Sequence, residues 1–321
     1  MKWTILAAAA TLACAGAHAQ NFPTHPVTLI VPFPAGGPTD ALARIMSERM
    51  RQSLGQTLIL ETVSGAGGTI GGNRVVHATP DGYTIGIGNW TSHVGSAAIY
   101  PLQYDVQKDL EPVSLLTSAP LWILGRKNLP AKDARELIAW LKANPDKSSM
   151  ATVGAGSAAH LCGLYFQQKS GTRFGFVPYR GAAPAIQDLV AGQIDLSCLE
   201  ASATLAYVQS GQVRAYAVFS KARYAPAPDV PTMDEAGTPG VYAPFWHGFW
   251  VPKGTPKDAI AKINAAVVDT FADPAVRERL TKLGQEIPAR DQQTPEALRA
   301  FHKAEIDKWW PIIKAANIKP E

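Results

Sequence analysis

The chain has 321 residues, 46% of them hydrophobic and 17% charged, with a formal net charge of +4. That composition suits a soluble globular protein with a core spread over one large or two medium domains. The charges are scattered without a run of five like signs, so nothing tracks a phosphate backbone and nucleic-acid binding is not expected.

The first segment sets the compartment. Lys2 precedes an apolar stretch from Ile5 to Ala17, and Ala17-His18-Ala19 stands before Gln20. A basic start, a short apolar core and an A-x-A site make a secretory signal peptide, cleaved after Ala19, with residues 1–19 lost on export. Leu12 stands one place too close to Cys14 for a lipoprotein signal. No later stretch reaches the roughly 18 apolar residues of a membrane span, so a soluble exported protein is expected. The mature chain then keeps two cysteines, Cys162 and Cys198, which read either as one disulfide or as two buried thiols.

From there strands and helices alternate. Val27–Phe33 reads as a strand and Pro38–Met50 as a helix with Leu42, Ile45 and Met46 on one face. Thr57–Glu61 is a strand, followed by the glycine loop Ser64–Gly68, a short helix to His77 and a strand at Tyr83–Ile87. A helix from Asp133 stops at Asn144-Pro145. Strands near Met150–Val153, Phe174–Pro178, Ile194–Cys198 and Arg214–Phe219 then alternate with helices near Ala158–Lys169, Ala182–Ala191 and Ser202–Gln209, and the tail is helical. This order predicts an α/β fold of mostly parallel sheets flanked by helices. Leu115–Lys127 and Phe245–Pro252 are both apolar and extended. They serve as two crossing strands, which divides the chain into a first lobe (20–122), a second lobe (123–244) and a completion of the first with the C-terminal helices (245–321).

Ligands of open α/β sheets sit beyond the carboxyl ends of strands. At those ends Gly36 and Gly37 open the first helix, "SGAGGT" (Ser64–Thr69) the second, and "GAGSAAH" (Gly154–His160) one in the other lobe. Helix starts with free amides attract anions without a cationic side chain, so three of them around one cleft suit a carboxylate. Arg180 is the one cation placed at a strand end, free either to pair with that carboxylate or to join a structural ion pair. The spacings of a dinucleotide fingerprint, a P-loop and a nucleophile elbow are absent, and the histidines show no metal-ligand spacing. No cofactor, metal or catalytic residue is expected.

"VTLIVPFPAGGPTDALAR", "GAGGTIGGNRV", "PDGYTI", "VPYRGAAPAIQDLVAGQID" and "PDVPTMDEAGTPG" closely resemble the periplasmic solute-binding proteins of tripartite tricarboxylate transporters, the Bug family. The match runs in order from Pro26 to about Ala315. The resemblance implies a two-lobed periplasmic binding protein that closes on a small organic carboxylate, an aliphatic dicarboxylate or an aromatic acid, and delivers it to membrane permease subunits. A monomer is expected. Carried over by matching residues, the first-lobe ligand set is Pro34, Ala35, Gly36, Thr39 and Asp40, with Ala66, Gly67 and Gly68. Ser92, His93, Ser157, Ala158, Tyr179 and Arg180 line the rest, and Gly37 belongs to the first amide set.

Departures from the family pattern concern the distal pocket. Leu199-Glu200-Ala201-Ser202 stands where an Asp-Asn-Leu-Pro is common, Val63-Ser64 stands for Arg-Pro, and the second crossing strand reads Phe245-Trp246-His247-Gly248. Phe33, Trp90, Tyr179 and Trp246 are candidates to enclose a ring, of which one or two should touch ligand. An ionised Glu200 in an anion site repels its ligand unless it pairs with Arg180 or meets a donor on the ligand. Two other readings remain: an exported sensor feeding a signalling partner, and an exported α/β hydrolase using Ser157 or Ser92 with a histidine.

Overall fold

A computed structural model describes residues 22–240 and 242–319; the signal peptide expected from the sequence, with its Ala19 site, lies outside them. The described chain opens with β1 (Val27–Val31), α1 (Pro38–Leu54), β2 (Leu58–Thr62), α2 (Thr69–Val76) and β3 (Thr84–Asn89). Short helix α3 (Ser96–Ile99) leads to the long strand β4 (Leu110–Arg126). Then come α4 (Ala134–Ala143), β5 (Ser149–Thr152), α5 (Ala158–Ser170), β6 (Gly175–Pro178), α6 (Ala182–Ala191), β7 (Leu196–Glu200), α7 (Ala201–Gln209) and β8 (Val213–Val218). The chain closes with β9 (Pro244–Pro252), α8 (Lys257–Ala272), α9 (Pro274–Lys282) and α10 (Pro295–Ala315).

Two sheets share β4. Its first part pairs antiparallel with β9, from Leu110 opposite Pro252 to Pro120 opposite Pro244. β9 pairs in turn with β3, and β1 lies parallel between β3 and β2. From Leu121 onward β4 changes partners to β7 and β8, and β5 and β6 extend that second sheet in parallel. The fold is thus two lobes of mostly parallel sheet, joined through β4 and carrying helices. β1 is apolar but for the half-buried Thr28, because helices cover both of its faces. On one side Leu29 and Val31 pack with Leu42, Met46 and Met50 of α1 and Ile263 and Val267 of α8, all buried.

Local chemistry explains the element ends. Pro38 fits the first position of α1 because it lacks the N–H that would be unpaired there. Gly55 ends the helix in the left-handed region (φ 69°), with its amide on the Arg51 carbonyl. β1 stops at Val31, two residues before the expected Phe33, because Pro32 and Pro34 cannot donate to a ladder. After β3 the chain makes a single wide helical turn, Thr91–Gly95, continuous with α3. A disulfide joins Cys162 of α5 to Cys198 of β7, with Cα atoms 6.2 Å apart. No helix among the described residues is long and apolar enough to cross a membrane.

Candidate functional site

A cleft of about 720 Å³, its open mouth included, lies between the carboxyl ends of the two sheets. The first sheet supplies Phe33, Pro34, Ala35, Gly37 and Thr39 after β1, with Asn89 and Thr91 after β3. The second supplies Ala158 and Ala159 of α5, the segment from Arg180 to Pro184, and Cys198, Leu199 and Glu200 of β7. Leu121 of β4 and Phe245 of β9 form the floor where the sheets join. Most of this wall is apolar.

Polar groups enter it at helix starts. The amides of Gly37, Thr39 and Asp40 have no acceptor among the described residues, as the first turn of α1 requires. Thr39 is fixed from behind: its hydroxyl accepts from Asn89 Nδ2 (3.1 Å) and shares a hydrogen bond with His247 Nε2 (3.1 Å). Burial pushes the fully enclosed His247 down to about 3, so the imidazole is neutral. The Gly36 amide and the Asp40 carboxyl do something other than contact the cleft. The Gly36 amide donates to Asp40 Oδ2 (3.0 Å), and Arg44 reaches the same oxygen at 3.0 Å. Burial raises the Asp40 pKa, but these hydrogen bonds outweigh it and hold the carboxyl below its ordinary value. Asp40 thus stiffens the loop, and the Gly36 amide is already taken.

Across the cleft, Ser157 caps α5 by accepting from the His160 amide (3.2 Å), and is fully buried. The Ala158 amide donates to Thr91 Oγ1 of the first sheet at 3.2 Å. α6 begins just after Arg180, and the Ala182 and Ala183 amides at its start have no acceptor among the described residues. Arg180 itself is exposed and makes no ion pair or hydrogen bond among them. It does not pair with Glu200, contrary to the first expectation for that carboxylate. Gln285, from the segment after α9, donates to Glu200 Oε1 at 2.8 Å instead. Glu200 is 4% exposed, and burial pushes its carboxyl up to about 7 against the pull of Ser202 and Gln285.

Several expected contacts lie behind the wall. Ala66, Gly67 and Gly68 run through left-handed backbone (φ 45°, 61° and 91°) and pack on Ser92, Ser96 and the Phe33 ring. They buttress Phe33 rather than line the cleft. Ser92 is locked with Asn89 by reciprocal hydrogen bonds of 3.1 Å, and its hydroxyl meets His93 Nδ1 at 2.9 Å. That Ser–His pair is buried, with His93 stacked on Trp250, and neither residue lines the cleft. Tyr179 turns to Asp188 (2.7 Å). Trp246 points away from the cleft: strand alternation presents Phe245 to it and sends the Trp246 indole to Glu305 (3.3 Å), which also receives Trp90 (3.0 Å). Asn89, Thr91, Leu121, the α6 start and Phe245 were missed by the sequence reading. The Gly181-Ala182-Ala183-Pro184 stretch carried the signal, since it repeats the glycine-then-proline helix opening of Gly37-Pro38.

Residues 42–318 match the model of the tripartite tricarboxylate transporter family receptors, and the chain belongs to that family. It is similar to the periplasmic binding protein BugD, at 40% identity over 94% of this chain and 100% of that one, with a TM-score of 0.87. MatC from Rhodopseudomonas palustris, solved with bound malate, is 38% identical over 91% of this chain and 100% of its own, with a TM-score of 0.87. A second R. palustris protein, solved with adipate, is 30% identical over 94% of this chain and 100% of its own, at a TM-score of 0.88.

Proposed function

We propose that this receptor is exported to the periplasm, captures a small organic carboxylate in the cleft and hands it to a membrane permease. The carrying observation is convergence. The starts of α1, α5 and α6 open on one apolar-walled space, with unpartnered amides on α1 and α6 and an unpaired Arg180 at its edge. Such amides and a helix dipole hold a carboxylate, and the apolar wall accepts a short carbon skeleton. The relatives solved with malate and adipate make the same class of ligand reasonable for this chain. β4 and β9 are the natural hinge, because among the described strands β4 alone carries strand pairing from one sheet to the other. Closure then brings Arg180 and the α6 amides onto an acid already seated at α1.

Binding rather than turnover suits the buried positions of Ser92 and Ser157, whose hydroxyls are engaged as a loop lock and a helix cap. The test is a thermal-shift screen of mono-, di- and aromatic carboxylates followed by calorimetry. A saturable shift with an acid recovered unchanged supports the proposal. Chemical conversion of the bound acid, or no shift with any acid, refutes it.

A further inference from the structure

We infer that Glu200 is a specificity-determining residue, and that the cleft selects carboxylic acids carrying a second group able to donate a hydrogen bond, a hydroxyl or an ammonium. The inference rests on the carboxylate reading of the cleft and names the other end of the ligand.

Among the described residues that line the cleft, Glu200 is the only carboxylate and Arg180 the only cation. Glu200 is more than nine-tenths buried, and its two oxygens are treated differently. Oε1 accepts from Gln285 Nε2 at 2.8 Å, which orients the group. Oε2 is buried with no partner, alone in this among the side chains that line the cleft in the described residues. A buried acceptor without a donor is costly, and the cost disappears when a ligand supplies one. The neighbours cannot supply it. Among the described residues no side chain hydrogen-bonds Oε2: Ser202, which helps Gln285 hold the carboxyl down, is tied to the same Gln285 amide (3.0 Å), Leu121 is the strand partner of Glu200, and Thr204 bonds the Glu200 backbone carbonyl. The acid end has its own receptors at α1 and α6, leaving Glu200 for the distal group. Burial, which raises this carboxyl to about 7, works in the same direction: a ligand donor stabilises the ionised form that the site leaves under-solvated.

The experiment measures affinities for matched acids differing only in the distal group: short straight-chain acids with their terminal hydroxyl, amino and carboxyl counterparts, and benzoate with its hydroxybenzoates. Within a pair, the donor-bearing acid is expected to bind wild type about tenfold tighter or more, the scale of a hydrogen bond to a charged group. That advantage is expected to vanish in Glu200→Leu. In the nearly isosteric Glu200→Gln, which preserves the fold if leucine does not, the ammonium-bearing acid loses most of its advantage while the hydroxyl-bearing acid keeps part. Equal binding within pairs overturns the inference while leaving the carboxylate reading intact. So does an advantage that survives both substitutions, or a dicarboxylate that outbinds the donor-bearing acids. Absence of binding by every acid overturns both.

Discussion

Thr91 Oγ1 accepts the amide hydrogen of Ala158 at 3.2 Å, tying the turn after β3 in one sheet to the first turn of α5 in the other. Both residues line the cleft, so this bond spans the space a ligand would enter. In the proposed closure this bond forms as the lobes meet, since a helix-start amide in an open cleft bonds to water instead. Thr91→Val keeps the side-chain shape and removes the acceptor. The net value of such a bond is about 0.5–1.5 kcal/mol, so affinity for the best acid should fall roughly twofold to tenfold. Calorimetry on the two proteins checks this; identical affinities would assign the bond no part in closure.

A second contact across the cleft is steric. A Cβ at Gly95 would overlap the carbonyl oxygen of Gly156 and approach Trp90 at 2.8 Å. The Gly156 oxygen is backbone and cannot swing aside. Gly95→Ala should therefore act as a wedge that prevents the lobes from meeting, with a smaller loss from crowding Trp90 inside the first lobe. Ligand-induced stabilisation should be largely lost while the unliganded protein still unfolds cooperatively. Small-angle scattering checks the wedge: the variant's radius of gyration should not decrease when the acid is added.

These contacts mark what could be read from the chain alone. The element order was legible because each segment carries its own punctuation, such as Pro38 opening α1 and Gly55 closing it. The anion-receptive helix starts were legible for the same local reason. The side-chain parity of β9 was not. Phe245 and Trp246 are both large, aromatic and buried, and a strand covered on both faces shows no polar alternation to tell cleft from core. Nor could Gln285 be assigned to Glu200, since the pair is 85 residues apart and only the fold brings them together. Gly36 and Asp40 misled differently. A helix-start glycine and aspartate suit a ligand site, but they suit a self-contained loop equally well, and here they bond to each other.

His247 makes stability depend on pH. Its folded pKa is about 3, against an unfolded value near 6.5, so between those values only the unfolded chain takes up this proton. Protonation of the unfolded state then favours unfolding, and the contribution is lost as pH falls below about 6.5. A single such group gives at most about 1.4 kcal/mol per pH unit. His247→Gln can still hydrogen-bond Thr39 but does not titrate. The stability gap between wild type and this variant should therefore shrink from pH 7 toward pH 4, as read by denaturant unfolding. A constant gap would mean that His247 takes up its proton at the same pH in the folded protein as in the unfolded chain, with no shift from burial.

The disulfide between Cys162 and Cys198 closes a loop with a sequence separation of 36. In the chain-entropy model that constrains the unfolded state by about 3–4 kcal/mol. Both residues are buried, at 2% and 0% exposed, and the bond pins α5 to the strand that carries Glu200. Reduction under denaturing conditions followed by refolding with thiols blocked should lower the melting temperature markedly. Thiol titration of the denatured, unreduced protein checks the premise, and two free thiols would contradict it.

Arg180 offers the sharpest separation of binding from stability. It lines the cleft just before the unpartnered amides that open α6, and it is exposed without an ion-pair or hydrogen-bond partner among the described residues. Removing it should leave the unliganded melting temperature nearly unchanged, since exposed side chains outside any network seldom contribute more than about 0.5 kcal/mol. A hydrogen bond from its guanidinium to a ligand carboxylate is worth about 1.5–3 kcal/mol, so Arg180→Ala should weaken binding roughly tenfold to a hundredfold. Arg180→Lys should fall between, keeping the charge but losing the planar fork that meets both carboxylate oxygens. Added salt should weaken the wild type more than Arg180→Ala, because an exposed charge is screened by it. An alanine variant that binds the acid within twofold of wild type, with the same salt response, would place the ligand carboxylate wholly at the α1 amides and leave Arg180 outside the site.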